Sequence, residues 1–183
     1  RLLGELDSVG IDLIVDPSRP TTVKERIVAG PQQLLRVDRE SDAPVAPDLA
    51  RQVFEAAARA IAGAGAIVIS DYGKGVLADD GLGALIAAAG AAGCVIVVDP
   101  KGADFTRYRG ADVVTPNQRE LAAASRMPVR DDDSVVAAAR TLVAGCGIGH
   151  VLATRSRDGM TLVSAVGAEH FAAEAREVFD VSG

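Results

Sequence analysis

The chain has 183 residues, a formal net charge of -6 and 49% hydrophobic residues, with 3% aromatics and no tryptophan. That length carries one domain with a sizeable core, and the acidic balance lacks the basic stripe of a nucleic-acid scaffold. No run reaches the roughly 18 apolar residues of a membrane span, and the opening residues lack a signal-peptide pattern.

Leu2, Leu3 and Leu6 share a helix face that Gly10 would end, so the chain reads as starting inside a helix. Ile11 to Val15 predicts a short strand. Thr21 to Ala29 and Gln33 to Arg39 predict two more, split by Gly30-Pro31. There Val23, Ile27, Leu35 and Val37 alternate with Lys24, Arg26, Arg36 and Asp38, the pattern of half-exposed strands. From Asp48 the pattern changes. A helix is expected over 48–62, a buried strand over 66–70, a helix over 79–92 capped by Asp79, and a buried strand over 95–98 ending in Asp99. A short extended piece at 112–115 precedes helices over 117–125 and 134–144. Strands at 151–154, 160–164 and 169–172 complete the series. Buried strands alternating with helices imply an α/β fold whose sheet is mostly parallel, with right-handed crossovers. Residues 11–40 would form a small β lid and 48–183 the body.

In such sheets the chemistry gathers beyond the carboxyl ends of the strands. Four predicted strands end in polar turns: SDYGKG at 70–75, DPKG at 99–102, TPNQRE at 115–120 and TRSRDG at 154–159. Asp71 would accept hydrogen bonds from sugar hydroxyls, while Lys74 and Lys101 suit phosphate. An ordinary strand-to-helix turn fits the same residues. Asn117 and Glu120 would share a helix face near an N-terminus that favours anions, and would hold magnesium directly or through water. A capping box is the alternative there, because Asn-x-x-Glu is common. A plain hairpin is the alternative for TRSRDG, with Gly159 free to take positive φ. No Walker loop and no GxGxxG fingerprint occurs. Cys94 and Cys146 belong to no CxxC pair and read as free thiols of a reducing cytosol. His150 and His170 receive no metal role.

Taken in order, PTTVKERIVAGPQQLLRVDRE at 20–40, VISDYGKGVL at 68–77, VDPKGADFTRYRGADVVTPNQREL at 98–121, TRSRDGMTL at 154–162 and EVFDVSG at 177–183 resemble the ribokinase-like (PfkB) carbohydrate kinases. The likeness is strongest to the D-glycero-β-D-manno-heptose-7-phosphate kinases. It implies a doubly wound α/β domain with a β lid, ATP and magnesium as cofactors, and a cytoplasmic enzyme. The reaction implied is phosphorylation of the anomeric hydroxyl of a heptose 7-phosphate, on the way to ADP-heptose for lipopolysaccharide. The resemblance puts Asn117, Gln118, Arg119, Glu120, Thr154, Arg155, Ser156, Gly159 and Gly183 at the nucleotide. It puts Lys24, Arg26, Asp71, Lys74 and Lys101 at the sugar phosphate, and Asn117 and Glu120 at magnesium. The implied partners are small molecules, with neither nucleic acid nor membrane, and a homodimer through the lid strands. The family's Gly-Ala-Gly-Asp motif, with its base aspartate, would continue after Gly183, and its first strand would precede the chain. The chain is therefore expected to be truncated at both ends and inactive alone. Another PfkB sugar kinase, or a non-catalytic nucleotide- or sugar-binding remnant, are the alternatives.

Overall fold

A computed structural model describes residues 10–77 and 81–173. The expected first helix, the Asp79 cap and Gly183 lie outside these residues. The elements are β1 (Val23–Ala29), β2 (Gln32–Arg39), α1 (Pro47–Ile61), β3 (Ala66–Ser70), α2 (Gly81–Ala91), β4 (Val95–Asp99), β5 (Val113–Val114), α3 (Gln118–Ser125), α4 (Asp132–Cys146), β6 (His150–Thr154), β7 (Met160–Ser164) and β8 (Ala168–Phe171). Single 3-10 turns span Phe105–Tyr108 and Ser156–Asp158.

Strands β3 to β8 form one sheet in chain order. The first four are parallel, and β7 and β8 return antiparallel. This is the expected α/β class with a parallel-rich sheet. Because the parallel strands follow one another without a reversal, right-handed crossovers deliver their helices to a single face. There Ile96, Val98, Val114, Val151 and Val163 meet Leu85, Ile86 and Ala89 of α2 and Val135, Ala138 and Leu142 of α4. The opposite face is open among the described residues: Val68 is 71% exposed and Val95 50%. This corrects the expectation of a wholly buried strand at 66–70, where only Ile69 is buried.

Local chemistry explains the helix limits. Pro47 begins α1, where its missing N–H costs nothing. Asp131 and Ser134 cap the start of α4 reciprocally, and Gly147 ends it at φ +70°. Residues 11–15 are a second correction: they form no strand, and Leu13 and Val15 are exposed. A strand needs a partner to satisfy its backbone, and no described strand pairs with this segment.

β1 and β2 form a separate antiparallel hairpin, from Val23↔Arg39 to Ala29↔Gln32, with a register shift at Ile27/Val28. Directly paired residues share a face. Val23, Ile27, Leu35 and Val37 therefore share one face, with the Glu25–Arg39 pair at 2.9 Å set among them. Arg19 fastens the root of the hairpin to the body. Its guanidinium donates to the Lys74 carbonyl at 2.9 Å and the Ala43 carbonyl at 2.8 Å, and pairs with Asp16 at 2.9 Å.

Candidate functional site

The turns after β3, β4, β5 and β6 meet in a cleft of about 300 Å³. Asp71 and Tyr72 enter from the first turn, Asp99 and Lys101 from the second, Asn117 and Glu120 from the third, and Thr154 from the fourth. Parallel strands in register bring these ends together: Ser70 lies opposite Asp99, and Thr154 bridges to Asn117.

Asn117 is the cap of α3. Its side-chain oxygen accepts from the amides of Arg119 at 2.9 Å and Glu120 at 3.0 Å. Glu120 returns the favour, one carboxylate oxygen accepting from the Asn117 amide at 3.1 Å. Its other oxygen faces the Lys101 ammonium, also at 3.1 Å. Gln118 and Arg119 occupy the first turn of α3, outside the lining of the cleft.

Asp71 is buried under two hydrogen-bond donors and one cation. The Gly73 amide binds one carboxylate oxygen at 2.8 Å. The Tyr108 hydroxyl binds the other at 2.7 Å, and the Arg107 guanidinium lies 3.4 Å from it. Arg107 also donates to the Leu77 carbonyl. Tyr108 and Arg107 belong to the stretch at 98–121 that carries the family resemblance, but the sequence assigned neither a role. The signal was present in FTRYRG, since Phe105 and Tyr108 are two of only six aromatic residues. Their rings stack edge to face with centroids 5.6 Å apart. Burial pushes the Tyr108 hydroxyl far above its ordinary range, with Asp71 adding to the rise. It therefore stays a neutral donor.

The structure does not bring every expected residue to this cleft. Lys74 forms an ion pair with Glu40, and Lys24 lies 3.9 Å from both Glu40 and Asp38, so these two cations gather at the hairpin root. Arg26 is exposed on β1 opposite Arg36. The Arg155 side chain is buried away from the cleft, pairing with Asp132 of α4 at 2.6 Å and donating to Thr161 at 3.2 Å. Thr161 in turn shares a hydrogen bond with His170 at 2.9 Å. Ser156 and Gly159 take positive φ in the β6–β7 turn. A Cβ on Gly159 would come within 1.9 Å of the Phe171 carbonyl, so close strand approach alone excludes any larger residue.

The donor set fits magnesium in a limited way. No cluster of three or more metal-ligating side chains occurs among the described residues. The Asn117 oxygen is committed to the cap and the Asp71 carboxylate to its buried partners, which leaves Glu120 and Asp99 as the cleft's other carboxylates. That suits a cation held by one or two carboxylates, water and substrate phosphates. No described helix is long and apolar enough to cross a membrane. Cys94 and Cys146 are both buried and unpaired.

An open, parallel-rich sheet with polar groups converging beyond four strand ends defines a small-molecule-binding α/β protein. The family model described as pfkB family carbohydrate kinase matches residues 1–183, and the chain belongs to that family. It is similar to the bifunctional protein HldE of Paramagnetospirillum magneticum, 53% identical over 184 residues, with 100% of this chain and 38% of that protein covered. HldE of Rhodospirillum rubrum is 51% identical over 183 residues, with 100% and 37% covered. The chain thus spans well under half of these relatives. Among solved structures, phosphofructokinase-2 from Escherichia coli in complex with potassium superposes with a TM-score of 0.65 at 26% identity, covering 82% of this chain and 49% of that one.

Proposed function

We propose that this chain belongs to the kinase unit of a cytoplasmic enzyme acting on D-glycero-β-D-manno-heptose 7-phosphate. The reaction moves the γ-phosphoryl group of ATP to the anomeric hydroxyl, towards ADP-heptose for lipopolysaccharide. The observation that carries this reading is the cleft itself, whose DYGKG, DPKG and TPNQRE turns lie in a chain that matches HldE relatives along its whole length.

In this reading the buried Asp71 carboxylate accepts hydrogen bonds from the sugar. Lys101 leaves Glu120 for a phosphate oxygen. Asn117 and Glu120 hold the first turn of α3, the positive end of its dipole, beside the nucleotide. Magnesium, when bound, neutralises charge on the transferring phosphoryl group, and Glu120 would hold it through water. The Arg155–Asp132 pair fixes the TRSRDG turn beside the nucleotide.

The test is ADP release with heptose 7-phosphate, fructose 6-phosphate and ribose, from the intact protein carrying this chain. We expect turnover by the intact protein with a preference for heptose 7-phosphate of about a hundredfold or more over the other two sugars. A preference for another sugar would overturn the substrate. Silence of the intact protein with all three would overturn the kinase reading.

The β1–β2 hairpin acts as a lid and pairs with a second copy of the chain. Its support is the exposed set Val23, Ile27, Leu35 and Val37 on one face, because a two-stranded hairpin is marginal in water unless something covers it. Light scattering at micromolar concentration should give a dimer that Ile27→Lys dissociates. A monomeric wild type would remove the proposal.

A further inference from the structure

We propose that Tyr108 is a positioning residue of this site. Its hydroxyl ties the Asp71 carboxylate to the Lys101 backbone, so that two strand-end turns present a single preset surface to the sugar phosphate. The substrate named here rests on the reading given under Proposed function.

The hydrogen-bond inventory carries the inference. The Lys101 amide donates to the Tyr108 oxygen at 3.0 Å. A phenol has one proton to give in return. Two acceptors lie near, the Asp71 carboxylate at 2.7 Å and the Lys101 carbonyl at 3.2 Å. The shorter contact, to the charged acceptor, wins. The proton therefore goes to Asp71, and an unbroken run leads from the Lys101 amide through Tyr108 to Asp71 and on to the Gly73 amide. Asp71 is 6% exposed and Tyr108 0%, so water is kept from the bond between them. The Arg107 guanidinium sits 5.5 Å from the centre of the Tyr108 ring and balances the carboxylate. Asp71 and Lys101 both line the cleft, whereas Tyr108 stands behind them and lines none of it. It touches no substrate, and acts through its two neighbours.

The variant that isolates this role is Tyr108→Phe. It removes one oxygen and keeps the ring that packs against Phe105. In the intact protein carrying this chain, two readouts are taken: amide hydrogen exchange at Lys101 and Gly73, and KM and kcat for heptose 7-phosphate and ATP. A hydrogen bond to a charged group is worth enough that KM for the sugar phosphate should rise about tenfold, while KM for ATP stays within about twofold. Exchange at the Lys101 amide should quicken by about tenfold or more as its acceptor disappears. Unchanged exchange at both amides would overturn the inference, and so would a sugar-phosphate KM within about twofold of wild type. A parallel rise in both KM values with a lowered Tm would also overturn it, showing a packing role only. If the wild type itself phosphorylates no sugar phosphate, the kinase reading fails. Exchange at Lys101 and Gly73 then decides the positioning role alone.

Discussion

Truncating Leu121 to alanine is expected to destabilise the protein by about 3 kcal/mol, the usual cost of emptying a fully buried leucine site. It is also expected to weaken nucleotide binding. Helix α3 has eight residues, and Leu121 is the one it buries completely. A helix that short does not hold itself together in water, so its reciprocal cap must be anchored by packing. Leu121 lies one residue after Glu120 and sits in the same core cluster as Val114 and Val151, beneath the strand ends that form the cleft. Urea unfolding and nucleotide titration of the variant check both effects. A loss below about 1 kcal/mol would mean that the cap alone holds α3.

The second large effect is expected at Asp71. Asp71→Asn should lower kcat/KM for the sugar phosphate by about a hundredfold in the intact protein, despite its near-identical shape. Two donors, the Gly73 amide and the Tyr108 hydroxyl, converge on this side chain, and the Arg107 guanidinium pairs with it. A carboxylate has two oxygens for them, whereas an amide has one and turns its NH2 towards a donor. Steady-state kinetics decide the matter, and a variant within about threefold of wild type would exclude Asp71 from the site.

Most of the elements were legible because their signals are local. The strand at 66–70 matches to the residue, and the helix over 117–125 was read with its Asn117–Glu120 cap as one alternative. Ser134 was read as the start of α4, yet it is the return half of a box begun by Asp131. Burial was less legible. AIVIS reads as apolar throughout, but one face of its strand is open among the described residues, and no pattern within five residues records which neighbours cover a face. Ile11–Val15 failed for the same reason, since propensity cannot supply a partner strand.

The cleft was legible as a set of strand ends, because polar punctuation after parallel strands must gather on one edge. The fate of each charge was not. Lys74 and Lys101 look equivalent in sequence, each one residue from a glycine. One pairs with Glu40 at the hairpin root and the other with Glu120 across the cleft. Arg155 follows Thr154 directly, yet just past the strand end its side chain turns away from the cleft towards α4. The Asp71–Tyr108 contact joins residues 37 positions apart, a distance over which sequence spacing carries no signal.

The end position of β3 has a practical consequence. Among the described residues, one side of this strand pairs with β4 and the other has no strand beside it. An apolar groove of about 520 Å³, lined in part by Ala57, Ile61, Val68 and Leu77, runs along that free side. Open backbone donors and acceptors next to apolar surface are a template on which another strand can add. Purified by itself at high concentration, the chain should clump through this edge sooner than it unfolds. Salt or detergent would then govern its yield in the laboratory more than heat would.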